Sequence, residues 1–463
     1  MKSFIVITII IGLSPFIFSC HHKQEEPTSQ TTIDLPQILQ RGELTAITLY
    51  SSTSYFQYKM QNMGYEYELI NAFARSKGLK LHIKVAENIT RLTEMLENGE
   101  GDIIAYPITI TNESKDKFKF CGPEQTSSQI LVQRANKGDT LLTNVTQLLG
   151  KKVYVKQGTI YHDRLKNLNT ELGGGIEIEN IKKDTITTED LIEMVSQGII
   201  PYTVSDENTA KLNRTYFWNI DIRMNISFPQ RSSWVVRKSS QQLADAINQW
   251  ANEKKNQPTY RAIIKRYFEL SKQPIQIAMS EVKNGVISSF DPIFKKYAPL
   301  IGWDWQLLAS ISYQESHFDP HVVSWAGAEG LMGIMPNTAK GLGVTPHELK
   351  DPDIGIRTGV ECLRRFNQGF SSIENSHEKI KFTLAAYNAG IGHIYDARKL
   401  AEKYGKNPDV WDNNVDEFIR LKNDPFYYND SVCKHGYLRG SETYRYVKEV
   451  IARYEYYKEK TKN

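Results

Sequence analysis

The chain has 463 residues, 40% hydrophobic and 24% charged, with a formal net charge of +4. That length exceeds one ordinary core and predicts two or three soluble globular domains. So small a positive surplus gives no footing for nucleic acid, and no such partner is expected. The 25 Tyr, 18 Phe and 7 Trp suit stacking on sugar or peptide, and equally the filling of cores.

Residues 1–20 form a separate object. Lys2 supplies a positive end, and Phe4 to Phe18 form an apolar run too short for a comfortable membrane span. The run ends Ile17-Phe18-Ser19-Cys20, which resembles a bacterial lipoprotein cleavage box. That resemblance implies a lipidated Cys20 at the mature N-terminus, followed over residues 21–36 by a polar tether containing HHKQEEPTSQTT. The competing reading is an ordinary secretory signal or an uncleaved anchor. Either way the chain is expected to be exported and attached to a membrane. No Asp follows Cys20 to suggest inner-membrane retention, so the periplasmic side of the outer membrane is the expected place. The remaining cysteines, Cys121, Cys362 and Cys433, match no metal spacing, and three cannot all pair. They read as buried singles, with Cys362–Cys433 as the one pairing left open. Neither metal nor cofactor is expected.

Residues 37–274 read as an α/β domain. ITLYSS after Arg41-Gly42-Glu43-Leu44 is a first strand, Tyr65 to Gly78 a helix with Leu69, Ile70 and Phe73 inward, and Leu79 to Val85 a strand. Ile89 to Gly99 is a helix and Asp102 to Ile110 an apolar strand, an order that predicts a mainly parallel sheet. ILVQR after Gln129 crosses to a second lobe. There Lys152 to Val155, a helix after Thr159, the helix Thr188 to Gly198 and the strand Ile199 to Val204 repeat the unit. Trp234 to Val236 is a late strand and Leu243, Ile247 and Trp250 mark a closing helix. No GxGxxG links a strand to a helix, which leaves a dinucleotide site unsupported. Tyr50, Tyr55, Phe56 and Tyr58 either line a cleft or pack the lobe.

RGEL at 41–44, the GD…TIT run at 101–111 and the YTVSD segment ending at Asp206 resemble the family 3 periplasmic solute-binding proteins. The resemblance implies two lobes around a cleft, with Thr109, Thr111 and Asp206 as candidate ligand residues. It also implies an Arg three residues after the TxT motif, to clamp a ligand carboxylate. Here that place holds Ser114, with Lys115 beside it, and a lysine does not reproduce an arginine fork. An ordinary free amino acid is therefore not the expected ligand. A peptide or muropeptide remains open, as does a structural or regulatory role without a ligand.

Residues 275–463 change to helical periodicity. Between Pro274 and Gly285 the segment IAMSEVKN reads as helical. Helices are predicted over Pro292 to Ala298, from Trp303, over Pro336 to Leu342, Ile354 to Phe366, Ile380 to Ala389 and 441–457. Leu307, Leu308, Ile311 and Glu315 share one helical face. A carboxyl at the end of a buried face is what a general acid requires, because burial disfavours the charged form. It is equally what a structural ion pair near a helix end looks like.

The order ES at 315–316, AGAEGLMGIMPNTA at 326–339 and AAYNAG at 385–390 resembles the lysozyme-like soluble lytic transglycosylase domain. Over residues 40–457 the whole arrangement is similar to the F-type branch of the membrane-bound lytic murein transglycosylases. The late DPFYY and GYLRGSETYRYV segments add to that similarity.

The resemblance implies peptidoglycan glycan strands as substrate and Glu315 as a single acid–base residue. It further implies Ser316, Tyr387 and Asn388 near the catalytic sugar, Gly330, Leu331 and Met332 as its wall, and Tyr444 in the groove. Tyr387 either bonds Glu315 or fills the core, and Arg439 either meets a substrate carboxylate or sits at the surface. Two-carboxylate hydrolysis would need a partner, but the nearest following acids, Asp319 and Glu329, carry no mark of one. Gly333 stands where many members of the domain have a glutamine, permitting close backbone approach. The alternatives are a binding sensor or scaffold with a degenerate glycosidase domain, and a hydrolytic muramidase.

Overall fold

The computed structural model describes residues 33–182, 186–272 and 282–462. Cys20, the polar tether's first residues, the expected domain boundary and most of IAMSEVKN lie outside the described residues.

Twelve strands follow from the alternating apolar segments of the first domain. They are β1 (Glu43–Leu49), β2 (Phe56–Tyr58), β3 (Gln61–Met63), β4 (Lys80–Ala86), β5 (Ile103–Thr109) and β6 (Phe118–Ser127). The second lobe and the return add β7 (Gln129–Arg134), β8 (Lys152–Lys156), β9 (Glu177–Ile181), β10 (Tyr202–Asp206), β11 (Ile220–Asn225) and β12 (Gln230–Arg237). One sheet has the order β4-β1-β5-β12-β6 and the other β11-β7-β10-β8-β9. The chain therefore changes sheet twice, after β6 and after β11, which makes two lobes.

In the first lobe β4, β1 and β5 pair in parallel and β6 runs the same way, with β12 antiparallel between β5 and β6. The expected mainly parallel sheet thus holds for four of the five strands: the helix Asn112–Lys117 carries the chain from β5 back to the start of β6, and β12, returning from the second lobe, is the exception. Trp234 of β12 is fully buried and its indole donates to Glu66 at 2.7 Å. Burial pushes the Glu66 carboxyl up to about 7, against the opposing pull of Trp234 and Gln125.

The second domain is helical, with no strand longer than an isolated bridge among the described residues. Its core is a single apolar cluster running from Ile287 to Tyr457. The helices Trp305–Ser316, Pro352–Gln368, Ser376–Ala389 and Gly440–Lys460 supply most of it. The sequence reading missed the helix Ile391–Lys403, whose apolar face is interrupted by Asp396. That carboxylate is not exposed: it holds the fully buried Lys422 at 2.5 Å and accepts from the Lys434 and His435 amides. Removing either partner would strand a buried charge, at about 3–5 kcal/mol.

Cys362 and Cys433 are both free. The pairing left open by the sequence does not form, because Cys362 is buried in the helical core while Cys433 donates to the Tyr427 carbonyl at 3.3 Å.

The two domains are packed on each other. Trp325, Ala326, Ala328 and Met335 of the second join the core cluster of the first lobe. Phe56 meets Tyr437, and Tyr58 meets Trp325, with ring centroids 6.3 and 5.5 Å apart. These two aromatics thus face the other domain. Tyr50 stacks on Tyr55 at 5.6 Å and also meets Tyr428 of the second domain edge-on at 5.9 Å.

Candidate active site

Glu315 is the penultimate residue of the Trp305–Ser316 helix, which stops because His317 and Phe318 take left-handed dihedrals of φ 52° and 65°. Seven of the preceding residues are buried, from Leu307 to Tyr313, so the carboxylate is delivered from the core side of the domain.

Three groups meet it. The Tyr446 hydroxyl donates to Oε1 at 2.9 Å. Burial, with the Glu315 charge adding to it, holds the Tyr446 phenol well above its usual range, so it stays a donor. Lys59 Nζ, from the first domain, lies 3.0 Å from Oε2 and also donates to the Gly333 carbonyl at 3.3 Å. Gly333 itself, at φ +58°, lies against the carboxyl: a Cβ there would fall 2.1 Å from Oε2. The missing side chain at this position is therefore a requirement of Glu315, which occupies the space.

Lys59 reaches the site from a two-residue hairpin turn. β2 and β3 pair Tyr58 with Gln61, and Lys59 and Met60 between them have φ 45° and 63°. Such turns favour Gly and Asn, and a bulkier residue held there costs about 1–3 kcal/mol. The turn is fixed by its surroundings. The Lys59 amide donates to Ala389 O at 3.2 Å, and Gly390, at φ +101°, has no Cβ to press on Met60 N. The last two residues of AAYNAG are thus the seat of the hairpin.

The other sequence candidates divide into two groups. Tyr387 is buried beside Glu315 but donates to Met332 O at 2.6 Å, not to the acid. Ser316 donates to Ser312 O and Leu331 O, both 2.9 Å away, which ties the 330–332 loop to the helix that carries Glu315. Leu331 and Met332 point into the core, and Gly330, at φ +76°, leaves room for the Leu349 carbonyl. Asn388 accepts from Thr443 at 2.8 Å and lines a cavity between the domains with Tyr58 and Glu442. Tyr444 turns away: the Arg420 guanidinium lies 4.7 Å above its ring. Arg439 is buried against Glu189, Asn213 and Tyr216 of the first domain.

Three functional groups escaped the sequence reading. Tyr446 shares the buried face of its helix with Thr443, Val447 and Val450, a spacing that separates it from Tyr444. Lys59 carried no signal except a lysine between two short aromatic runs. Glu442 lies one turn before Tyr446 on the same face, with its carboxyl raised by burial against Arg439, Arg445 and Lys59. Asp319 is exposed and accepts from the His321 amide at 2.8 Å.

In the first domain Thr109 ends β5, and its carbonyl accepts from Ser114. Thr111 and Ser114 cap the helix Asn112–Lys117. Asp206 caps the helix Glu207–Arg214 and accepts from Ser127 at 2.6 Å.

The family model "Bacterial extracellular solute-binding proteins, family 3" matches residues 46–270, and "Transglycosylase SLT domain" matches residues 292–410. Tyr446 and Glu442 lie beyond the second match. A relative from Desulfosudis oleivorans is 33% identical over 92% of this chain and 92% of its own length. One from Pseudomonas fluorescens is 30% identical over 91% of this chain and 87% of its own. Another from Aeromonas salmonicida is 31% identical over 93% and 84%. All three bear the name membrane-bound lytic murein transglycosylase F. With both domain models in chain order and one-third identity across nearly the full length, the chain belongs to the membrane-bound lytic murein transglycosylase F family.

Proposed function

We propose that the chain is a lytic transglycosylase that cleaves the MurNAc–GlcNAc β-1,4 bond of peptidoglycan and leaves 1,6-anhydromuramic ends. The observation that carries this reading is the setting of Glu315: a core-delivered carboxyl, fixed at one oxygen by Tyr446 and at its flank by Gly333. Among the described residues, the side chains hydrogen-bonded to that group are those of Lys59 and Tyr446, neither of them a carboxylate.

With Lys59 withdrawn, Oε2 of the protonated Glu315 donates to the glycosidic oxygen, and the C1–O bond breaks. The muramic acetamido group supports the positive anomeric carbon. Glu315, now a carboxylate, takes the proton from the C6 hydroxyl of the same sugar as that oxygen bonds to C1. An attacking group already on the sugar needs no bound water and carries a high effective concentration. Tyr446 holds the acid through both steps, because its phenol does not ionise near neutral pH.

The protein acts while anchored by lipid on Cys20, at the periplasmic face of the outer membrane. The two-lobed domain takes a peptide or muropeptide through its cleft, with Thr109, Thr111 and Asp206 at the strand ends that frame it. One observation favours another reading: the Lys59–Glu315 pair suits a silent scaffold.

Digestion of purified peptidoglycan, followed by mass spectrometry of the released ends, tests the reading. It predicts anhydromuramic ends. Reducing muramic ends would establish the hydrolase, and no release even from a Lys59→Met chain would establish the scaffold.

A further inference from the structure

In open α/β sheets, ligands bind beyond the carboxyl ends of the parallel strands. In this chain that ground lies after β1 and β5 in one lobe and after β8 and β10 in the other. Tyr50 follows β1, Lys156 is the last residue of β8, and Glu189 and Asp190 open the helix Thr188–Gln197 that follows β9. Each of these residues is in contact with one segment of the second domain.

That segment is Asn423–Arg439. Asn423 Nδ2 donates to Asp190 at 3.0 Å and to Thr187 at 3.2 Å. Asp424 is only 4% exposed, and its carboxylate takes Lys156 Nζ at 2.7 Å. The Tyr428 hydroxyl donates to Tyr50 O at 3.3 Å, and its ring stands edge-on to the Tyr50 ring at 5.9 Å. Tyr437 donates to Glu189 at 2.8 Å, and Arg439 meets the same carboxylate at 3.4 Å. Ser52 of the first lobe also donates to Glu189. One segment thus bridges both lobes, offering a carboxylate, aromatic rings, an amide and a guanidinium to groups of complementary chemistry.

The carboxylate subsite has moved as well. Ser114, standing where the solute-binding family has its clamping arginine, is spent on capping a helix through Thr111. On the opposite lobe Lys156, at the end of β8, holds a carboxylate from the other domain, that of Asp424.

We propose that the cleft is a peptide-recognition site whose resident occupant is Asn423–Arg439 of the same chain. Lys156 is its carboxylate subsite, and Glu189 with Asp190 is its subsite for cationic and amide donors. A diffusible peptide of like composition, an acidic residue followed by aromatics and a basic residue, enters by displacing the resident segment. This inference does not depend on the chemistry of Glu315.

The resident segment is tethered, so it competes at an effective concentration of about millimolar. The test uses the full chain and a labelled synthetic peptide of residues 421–439 with serine in place of Cys433, followed by fluorescence anisotropy. The intact chain should bind this probe poorly. An Asp424→Asn chain, which loosens the resident segment at nearly constant shape, should bind it at least tenfold more tightly. Adding Lys156→Met should return binding to the intact level, and a probe carrying Asp424→Asn should fail to bind. Tyr437→Phe, which removes the segment's bond to Glu189 and leaves the cleft intact, provides a second way to loosen the segment should the first variant melt early. Equal binding by the intact and both loosened chains would overturn the proposal. So would tight binding that survives loss of Lys156 or of the probe's carboxylate.

Discussion

The ammonium of Lys59 lies 3.0 Å from Oε2 of Glu315, across a domain boundary, with 8% and 10% of the two side chains exposed. The other oxygen of Glu315 is held by Tyr446. Both acid oxygens are therefore taken, and neither is within reach of a glycosidic oxygen, which a general acid must approach to about 2.6–3.2 Å. The arrangement is closed, and the hairpin carrying Lys59 must withdraw before a glycan strand enters.

Lys59→Met should accordingly raise the activity of the full chain. A hydrogen bond to a charged group contributes about 1.5–3 kcal/mol, so its loss should increase the rate of glycan release by about 10- to 100-fold. Turnover of purified peptidoglycan by intact and variant chains checks this. An unchanged or lower rate would show that Lys59 does not hold the site shut.

Tyr446→Phe removes the donor to Oε1 of Glu315. The expected loss is about 10- to 100-fold in activity. The melting temperature should barely change, since the ring stays packed beside Val447 and Val450. Tyr444→Phe is the control, and activity there should stay near that of the intact chain, because its ring faces Arg420.

Gly333→Ala places a methyl 2.1 Å from Oε2 of Glu315 and imposes a side chain at φ +58°. The carboxyl must shift, and displacement of a reacting group by about 1 Å can cost about 100-fold. The measured loss should appear in kcat, with thermal stability lowered by about 1–3 kcal/mol for the strained backbone.

Much of this site was legible before any coordinates. Glu315 announced itself by standing at the end of an apolar helical face, and AAYNAG and GLMG by their order. What was not legible depends on the other domain or on the face of a helix. Lys59 lies 256 positions from Glu315 and acts through a turn whose residues have no turn-forming habit. Tyr446 and Tyr444 are two residues apart in one motif, and only the burial pattern separates them. The helix Ile391–Lys403 was hidden because Asp396 interrupts its apolar stripe, and only tertiary pairing with Lys422 makes a buried aspartate there acceptable. The sequence leaves the aromatics after β1 between cleft and lobe; Tyr50, Phe56 and Tyr58 meet the second domain.

Lys272 gives the domain contact a pH dependence. Its ammonium lies 4.9 Å above the Trp325 ring, and burial, with Arg439 adding to it, lowers its pKa to about 7. The unfolded chain holds that proton up to the ordinary value of 10.5. Between these values the unfolded state binds more protons, so stability rises with pH. Below the lower value both states are charged and the full cost of burial remains. Thermal melts at about pH 6.5 and about pH 9 should show this rise in the intact chain. In Lys272→Met the contribution should be missing.

In the proposed mechanism Glu315 alone carries the proton out to the glycosidic oxygen and back from the C6 hydroxyl. Glu315→Gln keeps the shape and the Tyr446 contact but cannot cycle a proton. Release of glycan fragments from purified peptidoglycan, measured beside the circular dichroism and melting of the same sample, should vanish while the fold is unchanged. Continued release above background by a folded Glu315→Gln chain would contradict the account and move the acid–base role to another group.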